Sequence, residues 1–444
     1  MHDVVRDVAH IIAPKHNHTF LVKAGTSLKE WPERVTFENL MCISLMLNDI
    51  KEVPDAIECP KLQSLLLQRN SKLVVPNNFF KGMKNLGVID LSETQLSSLP
   101  ESLSFLVNLR TLYLNDCKLG DLSIIGDLSK LEILSLCSSN VREIPISFSR
   151  LTHLRLLDLN YCEELTRIPL GVISSLCKLE ELYVLKSFSL WDLEGDEGDS
   201  SSNAKLAELQ FLSRITSLEI IIPNLNFLID NHVLFKNLSS FTIIIGAPKD
   251  EEKGNFRRFS SKYSRKLMIS YNNEVMILGL LDCLKNLAIE RTDCLYIIGL
   301  DHIFYDLVNR RLNELKRLAV LNQKVTFLVN ILECSSDLSF HNLEFLQIIG
   351  NSNLVEICHG EPSIQSFNKL KILTVNGCDR LLNIVPSNLL WNFQSLEYLS
   401  VDWCNSVLSL DVSLLFESQK TVMKLETKKK KKEKRKDENT ATQT

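Results

Sequence analysis

Residues Leu86 to Pro100 read LGVIDLSETQLSSLP, and their spacing, L-x-x-I-x-L-x-x-T-x-L-x-x-L-P, decides the fold. The same frame opens at Leu40, Leu62, Leu86, Leu109, Leu131, Leu154 and Leu179 in steps of 22 to 25 residues, and again at Leu284, Leu315, Leu343, Leu370 and Leu396. Inside one copy, Ile89 and Leu91 alternate with Val88, Asp90 and Ser92, the period-2 pattern of a short strand with one apolar face and one outward face. Leu86, Leu96 and Leu99 flank the strand and belong to the same interior. One copy cannot bury that apolar set alone, whereas a stack of copies can.

The ninth position of each copy is an independent check, because it must hold a small side chain that hydrogen-bonds the turning backbone of the adjacent coil. It is Asn48, Asn70, Thr94, Cys117, Ser139, Cys162, Thr292, Asn351, Cys378 and Cys404. The expected fold is therefore an α/β leucine-rich-repeat solenoid. It is a curved horseshoe with a parallel β-sheet on the concave face, an irregular or helical convex face, a short helical N-terminal remnant and a disordered basic tail.

At 444 residues the chain is long for one globular domain, but a repeat array reaches this length as one body. Apolar residues make up 45%, ample for a core, and the net charge is −4. The charge is unevenly placed: Lys428 to Lys436 holds eight basic residues against Glu433, a local +7 that leaves −11 on the rest. Met1-His2-Asp3 leads into an amphipathic run rather than a basic segment and apolar core, so no secretory signal is expected, and no stretch reaches membrane-span length. Twelve cysteines without a Cys-x-x-Cys pair read as reduced thiols of a cytoplasmic or nuclear protein, with the Lys-rich tail as a route to the nucleus. The sequons at Asn17 and Asn237 are what an Asn- and Ser-rich chain produces by accident.

Along the chain, Val4, Val5, Val8, Ile11 and Ile12 form one helical face ended by Pro14, and 1–38 is assigned to this helix and a linker. Regular repeats occupy 39–190, several closed by an apolar residue and Pro: Val53-Pro54, Leu99-Pro100, Ile144-Pro145 and Ile168-Pro169. Irregular repeats fill 191–335, with the acidic SFSLWDLEGDEGDSSSN and polar KDEEKGNFRRFSSK loops, a helix at about 203–214 carrying Leu206, Leu209 and Leu212, and strands at Leu218–Ile222 and Phe241–Ile245. Longer repeats with more helical backs run from 336 to 415, and 416–444 is too polar to fold.

G-x-x-x-x-G-K-S/T, G-x-G-x-x-G, G-x-S-x-G and H-E-x-x-H are all absent, and His10, His16 and His18 have no Cys or carboxylate at ligand spacing. No enzymatic activity, metal or resident cofactor is expected. The Lys428–Lys436 run lacks interleaved aromatics, so it reads as a solvated tail and no nucleic-acid partner is expected. The surface that can carry function is the outward side of the strands: Val88, Asp90, Ser92; Thr111, Tyr113, Asn115; Leu156, Asp158, Asn160; Glu181, Tyr183, Leu185. Concave repeat faces bind proteins, and Tyr is a favoured anchor.

Met1-His2-Asp3 followed by VVRDVA resembles the MHD motif of plant NBS-LRR disease-resistance proteins of the coiled-coil class. LPESLSFLVNLRTLYLNDC, IPLGVISSLCKLEELYV, NAKLAELQFLSRITSLEI and LKILTVNGCDRLLNIVP resemble their repeats, to about residue 412. The turns are Leu-Pro or Ile-Pro, without the Gly-x-Ile-Pro typical of cell-surface receptor repeats. The resemblance implies a recognition and autoinhibition module of an intracellular plant immune receptor that binds a pathogen effector or a guarded host protein. It implies His2 as the sensor of ADP, beside Asp3, but only alongside an upstream nucleotide-binding domain. The chain itself carries no P-loop and reads as a truncated gene product or gene fragment. Two alternatives stand beside this reading: an ADP/ATP-dependent immune switch if the coding sequence extends upstream, and a ubiquitin-ligase substrate adaptor with leucine-rich repeats.

Overall fold

The structure is a computed structural model that describes residues 19–32, 37–191, 202–222, 237–246, 263–270, 291–299, 312, 314–330, 340–360, 365–384, 392–407 and 422–426. The N-terminal helix, His2, the acidic loop from 192 and the Lys428–Lys436 run lie outside the described residues. The chain divides into two compact units, Met1–Ile221 with Asn237–Ser240, and Ile222–Lys236 with Phe241–Thr444.

In the first unit the strands are β1 Phe20–Val22, β2 Cys42–Ser44, β3 Ser64–Leu66, β4 Val88–Asp90, β5 Thr111–Tyr113, β6 Ile133–Ser135, β7 Leu156–Asp158, β8 Glu181–Tyr183 and β9 Ser217–Ile222. Each pairs in parallel with the next, in chain order from β1 to β9. The register is one coil per step: Ile43, Leu65, Ile89, Leu112, Leu134, Leu157 and Leu182 stand side by side, and each is at most 1% exposed.

The chain returns through short turns. Pro100 and Pro145, both extended (φ −63° and −66°), lead into 3-10 helices Glu101–Phe105 and Ile146–Arg150. Their fixed φ and missing N–H suit the position just before a helical turn. The helix expected at about 203–214 is a 3-10 turn, Leu206–Phe211, and Leu206, Leu209 and Leu212 are its buried contacts.

The ninth position does what its chemistry requires. Asn70 Oδ1 accepts from Ile50 N–H (3.1 Å), and its Nδ2 donates to the carbonyls of Leu45 and Leu67 (2.9 and 2.8 Å). Asn48 repeats the arrangement one coil earlier. Ser139 Oγ accepts from Cys117 N–H and donates to Leu114 O, and the thiol of Cys162 donates to Leu136 O. The residue before it, at the eighth position, is left-handed in every regular coil: Leu47, Arg69, Glu93, Asp116, Ser138, Tyr161 and Lys186 have φ between 53° and 62°. The left-handed turn ends the strand and aims the ninth side chain inward.

The second unit has longer strands: β10 Ser240–Ile245, β11 Arg265–Ser270, β12 Cys294–Ile298, β13 Arg317–Leu321, β14 Phe327–Asn330, β15 Phe345–Ile349, β16 Glu356–His359, β17 Ile372–Asn376, β18 Tyr398–Asp402 and β19 Val422–Glu426. One parallel sheet runs β10-β11-β12-β13-β15-β17-β18-β19, and β14 pairs with β16 separately. Three expectations are corrected here. The coil back after Leu343 carries β16, paired with β14 of the preceding coil, instead of a helix, in keeping with the β-branched and aromatic FLVN and EICH segments. Residues 422–426, assigned to the unstructured tail, form β19 along the free edge of β18. The frame at Leu284 is eight residues early: β12 registers with β13 so that Thr292 stands level with Leu315, and Thr292 is thus a first-position rather than a ninth-position residue.

Three residues before the frame's first Leu, the later coils place Phe340, Phe367 and Phe393. Successive ring centroids lie 5.3 and 5.6 Å apart, a stacked spine inside the unit. The first unit uses Leu106, Leu128, Leu151 and Leu176 at the same place.

Candidate interaction surface

The alternation that buries Ile89 and Leu91 turns the third, fifth and seventh residues of each coil to the opposite side of the sheet, where register sets them in three columns. Val88 stands beside Thr111 and Asp90 beside Tyr113, while Leu156 stands beside Glu181 and Asp158 beside Tyr183. These eight side chains, with Asn115 and Asn160, are half-buried. Ser92 and Leu185 are buried, at 7% and 4% exposure. The candidates therefore form two clusters, and β6 joins them through Ile133, Ser135 and Cys137, which sequence reasoning left out.

A hydrogen-bond network ties the columns together. Ser135 Oγ donates to Asn115 Oδ1 (2.6 Å) and lies 3.2 Å from Asp158 Oδ2. Asn115 Oδ1 also accepts from Cys137 N–H, and Asn160 Oδ1 from Leu185 N–H. Asn160 Nδ2 donates to Glu219 Oε2 (2.7 Å), and the Tyr183 hydroxyl donates to Glu181 Oε2 (2.5 Å) and contacts Ser217 Oγ (3.1 Å). The seventh-position Asn and Ser side chains thus serve the frame as well as the surface: Ser92 Oγ accepts from Asn115 N–H.

The electrostatics are one-sided. From β2 to β9 the three columns contain Asp90, Asp158, Glu181 and Glu219, and no Lys or Arg. Burial pushes the carboxyl groups of Asp90 and Asp158 above the ordinary range against the pull of their hydrogen bonds to the 92 and 160 backbone. Burial also raises Tyr113, with help from the Asp90 charge, and burial with the Glu181 bond pushes Tyr183 up to about 12. Glu219 was missed because the frame blurs after residue 215. Its signal is the alternation of SLEIII, in which the buried Leu218 and Ile220 bracket it.

Arginines are instead found on the flank. Arg110, Glu132, Arg155 and Glu180 occupy the second position of successive coils and pair along the stack, Arg155 with Glu180 at 2.9 Å. Two depressions, about 610 Å³ beside Asp121, Asn140, Arg142 and Glu143 and about 490 Å³ beside Arg69, Glu93 and Asp116, lie off the three columns.

Comparison with known proteins agrees with this architecture. A leucine-rich-repeat family model matches residues 60–119, and the model for RPS2-like plant disease-resistance leucine-rich repeats matches residues 342–437. Disease resistance protein At4g27190 of Arabidopsis thaliana is 29% identical over 94% of this chain, and the probable disease resistance protein At4g27220 is 34% identical over 88%.

The chain belongs to the leucine-rich-repeat region of plant disease-resistance proteins.

It spans 43% and 42% of the length of those two relatives. RPS5 of the same plant matches a shorter part, 42% identical over 25% of this chain and 13% of its own. Among solved structures, the functional domain of InlJ from Listeria monocytogenes superposes with a TM-score of 0.53 at 13% identity, covering 92% of this chain and 68% of its own. A leucine-rich-repeat protein of Leptospira interrogans gives 0.50 at 17%, covering 93% and 98%. Both likenesses are to the fold. No helix of the described residues is long and apolar enough to cross a membrane.

Proposed function

We propose that this disease-resistance repeat region recognises a pathogen effector or a guarded host protein, and that within a longer immune receptor it also holds the switch off. Binding uses the outward columns of β4 to β9, centred on Tyr113, Asp158, Asn160 and Tyr183, and the segment bound is cationic. The observation that carries this reading is a tyrosine-bearing sheet face with four carboxylates and no basic residue in its columns. Tyrosine supplies contact area at low entropic cost, and carboxylates held above their ordinary range gain most from an arriving Lys or Arg.

The test is capture of candidate effectors and host proteins by the wild-type chain, by Tyr113→Ala/Tyr183→Ala and by Phe105→Ala, a control on the opposite side that is 56% exposed. A partner of this face is captured by wild type and Phe105→Ala and lost with the tyrosine pair; unchanged capture refutes the reading. Asp158→Asn weakens the same capture at low salt and leaves little difference at high salt, as expected for charge complementarity.

A further inference from the structure

Among the ninth-position side chains, one neighbouring pair is cysteine on cysteine. Cys378 follows β17 and Cys404 follows β18, strands in parallel register from Ile372–Tyr398 to Asn376–Asp402. The Gly377 N–H to Asp402 O bond, 2.9 Å, carries the stacking one residue further. Neighbouring strands stand about 4.8 Å apart, within the range of roughly 4.4–6.8 Å over which disulfides span Cα atoms. Each thiol donates to a carbonyl of its own coil, Cys378 Sγ to Asn376 O (3.7 Å) and Cys404 Sγ to Asp402 O (3.5 Å), so the two sulfurs sit side by side at the ends of neighbouring strands.

The ladder explains which sulfur is the reactive one. In each coil the ninth side chain accepts the backbone N–H of the preceding coil: Ser139 Oγ takes that of Cys117, and Asn351 Oδ1 that of Gln323. Cys404 sulfur stands at the same post, level with Cys378 and against its backbone N–H. A donor aimed at a sulfur favours its anion. The Cys378 neighbour lowers Cys404 below the ordinary thiol value, against burial and the charges of Asp379 and Asp402. Cys378 is fully buried, and Cys404 is partly open to a small solute.

We propose that Cys378 and Cys404 form a peroxide-responsive dithiol whose disulfide ties two successive coils of the second unit together. The Cys404 thiolate attacks the O–O bond of hydrogen peroxide; an S–O bond forms, O–O breaks and hydroxide leaves. Cys378 sulfur then attacks the sulfenic sulfur; S–S forms, S–O breaks, and the hydroxyl departs with the Cys378 proton as water. Both sulfurs are oxidised, and the peroxide is reduced to two waters in all once the first hydroxide is protonated. This proposal stands apart from the binding face of β4 to β9.

The test titrates hydrogen peroxide into the reduced full chain and maps cross-links by mass spectrometry without reductant. The expected result is a Cys378–Cys404 peptide pair two hydrogens lighter, formed at about tenfold less peroxide than oxidises the exposed Cys177. Alkylation of wild-type Cys404 by iodoacetamide should rise with a midpoint below the free-thiol value of about 8.5. Cys378→Ser stops at a Cys404 sulfenic acid that dimedone traps, and Cys404→Ser leaves Cys378 unmodified. A labelling midpoint above pH 8.5, oxidation no earlier than at Cys177, or a cross-link to another cysteine overturns the proposal, and the wild-type measurements decide it even where a variant misfolds.

Discussion

The first unit builds its coils on three-residue strands with alternate burial, while the second opens with five- and six-residue strands in which both faces are buried. β4, β5, β7 and β8 each bury only their central residue. All five residues of β12 are buried, including Tyr296 at 2% and Ile298 at 2%. β13 buries Ala319 and Leu321 where the first unit shows Tyr, Asp or Asn, and its Arg317 lies over the rings of Phe345 (3.9 Å) and Tyr296 (5.5 Å). The same frame can therefore present a surface or enclose a core, and the choice is written in the third, fifth and seventh residues alone.

Removing a frame residue should break this contrast most severely, because the frame is common to both units. Leu112→Ala and Leu295→Ala, each wholly buried, should each cost about 2–5 kcal/mol, read by urea unfolding. A loss below about 1 kcal/mol at Leu295 would mean that the doubly buried strand is not a core element.

Next comes the ladder. Asn70→Ala leaves the Ile50 N–H and the Leu45 and Leu67 carbonyls without their partner. It should cost roughly 2–3 kcal/mol, whereas Thr292→Ala in the second unit, whose hydroxyl makes no hydrogen bond, should cost well under half as much.

Acid titration should separate the units by sign. Burial raises the Asp293 carboxyl, but the bonds from Arg265 (2.8 and 3.0 Å) outweigh it, and the net folded pKa is lowered. Its contribution is fully present above the unfolded value of about 3.9 and is lost as pH falls through the folded pKa. Asp90 and Asp158 are raised by burial, so the folded state binds their protons first and stability rises as pH falls through their folded pKa. Asp158→Asn should accordingly shift stability at pH 7 upward, within about 0.5 kcal/mol, while Asp293→Asn lowers it and flattens the acid limb. Melts from pH 7 to 3 would show it; equal signs for the two substitutions would erase the distinction. The smallest effect is expected at the flank: Arg155→Ala should not be separable from wild type in melts at 0.5 M salt, since its pairs with Glu132 and Glu180 are solvent-exposed.

The same contrast explains what was legible in the sequence. Where one face is buried and the other half-open, as in VID and TLY, alternation fixes the register and names the outward columns. Where both faces are buried, as in CLYII and RKLMIS, the apolar run is continuous and carries no phase, which is how Leu284 came to open a coil eight residues early. Glu219 escaped for a different reason: its strand does alternate, but it lies just past the last regular copy. The eighth-position turn left almost no sequence trace in the first unit, because its residues are chemically unrelated; only Gly299, Gly350 and Gly377 hint at it. The strands β14, β16 and β19 depend on a neighbouring edge that no local pattern specifies.

That eighth position bears on how such a region can change over generations. A left-handed backbone costs an L-residue roughly 1 kcal/mol or more and costs glycine almost nothing. The second unit takes the cheap solution at Gly299, Gly350 and Gly377 and keeps a side chain at Asn322 and Trp403, whereas the first keeps Leu47, Arg69, Glu93, Asp116, Ser138, Tyr161 and Lys186 through seven coils in a row. Mutation to glycine would relieve the backbone cost at each of them. Glycine at these places would keep the turn and strip the rim of its side chains, which separates what the backbone needs there from what the surface presents.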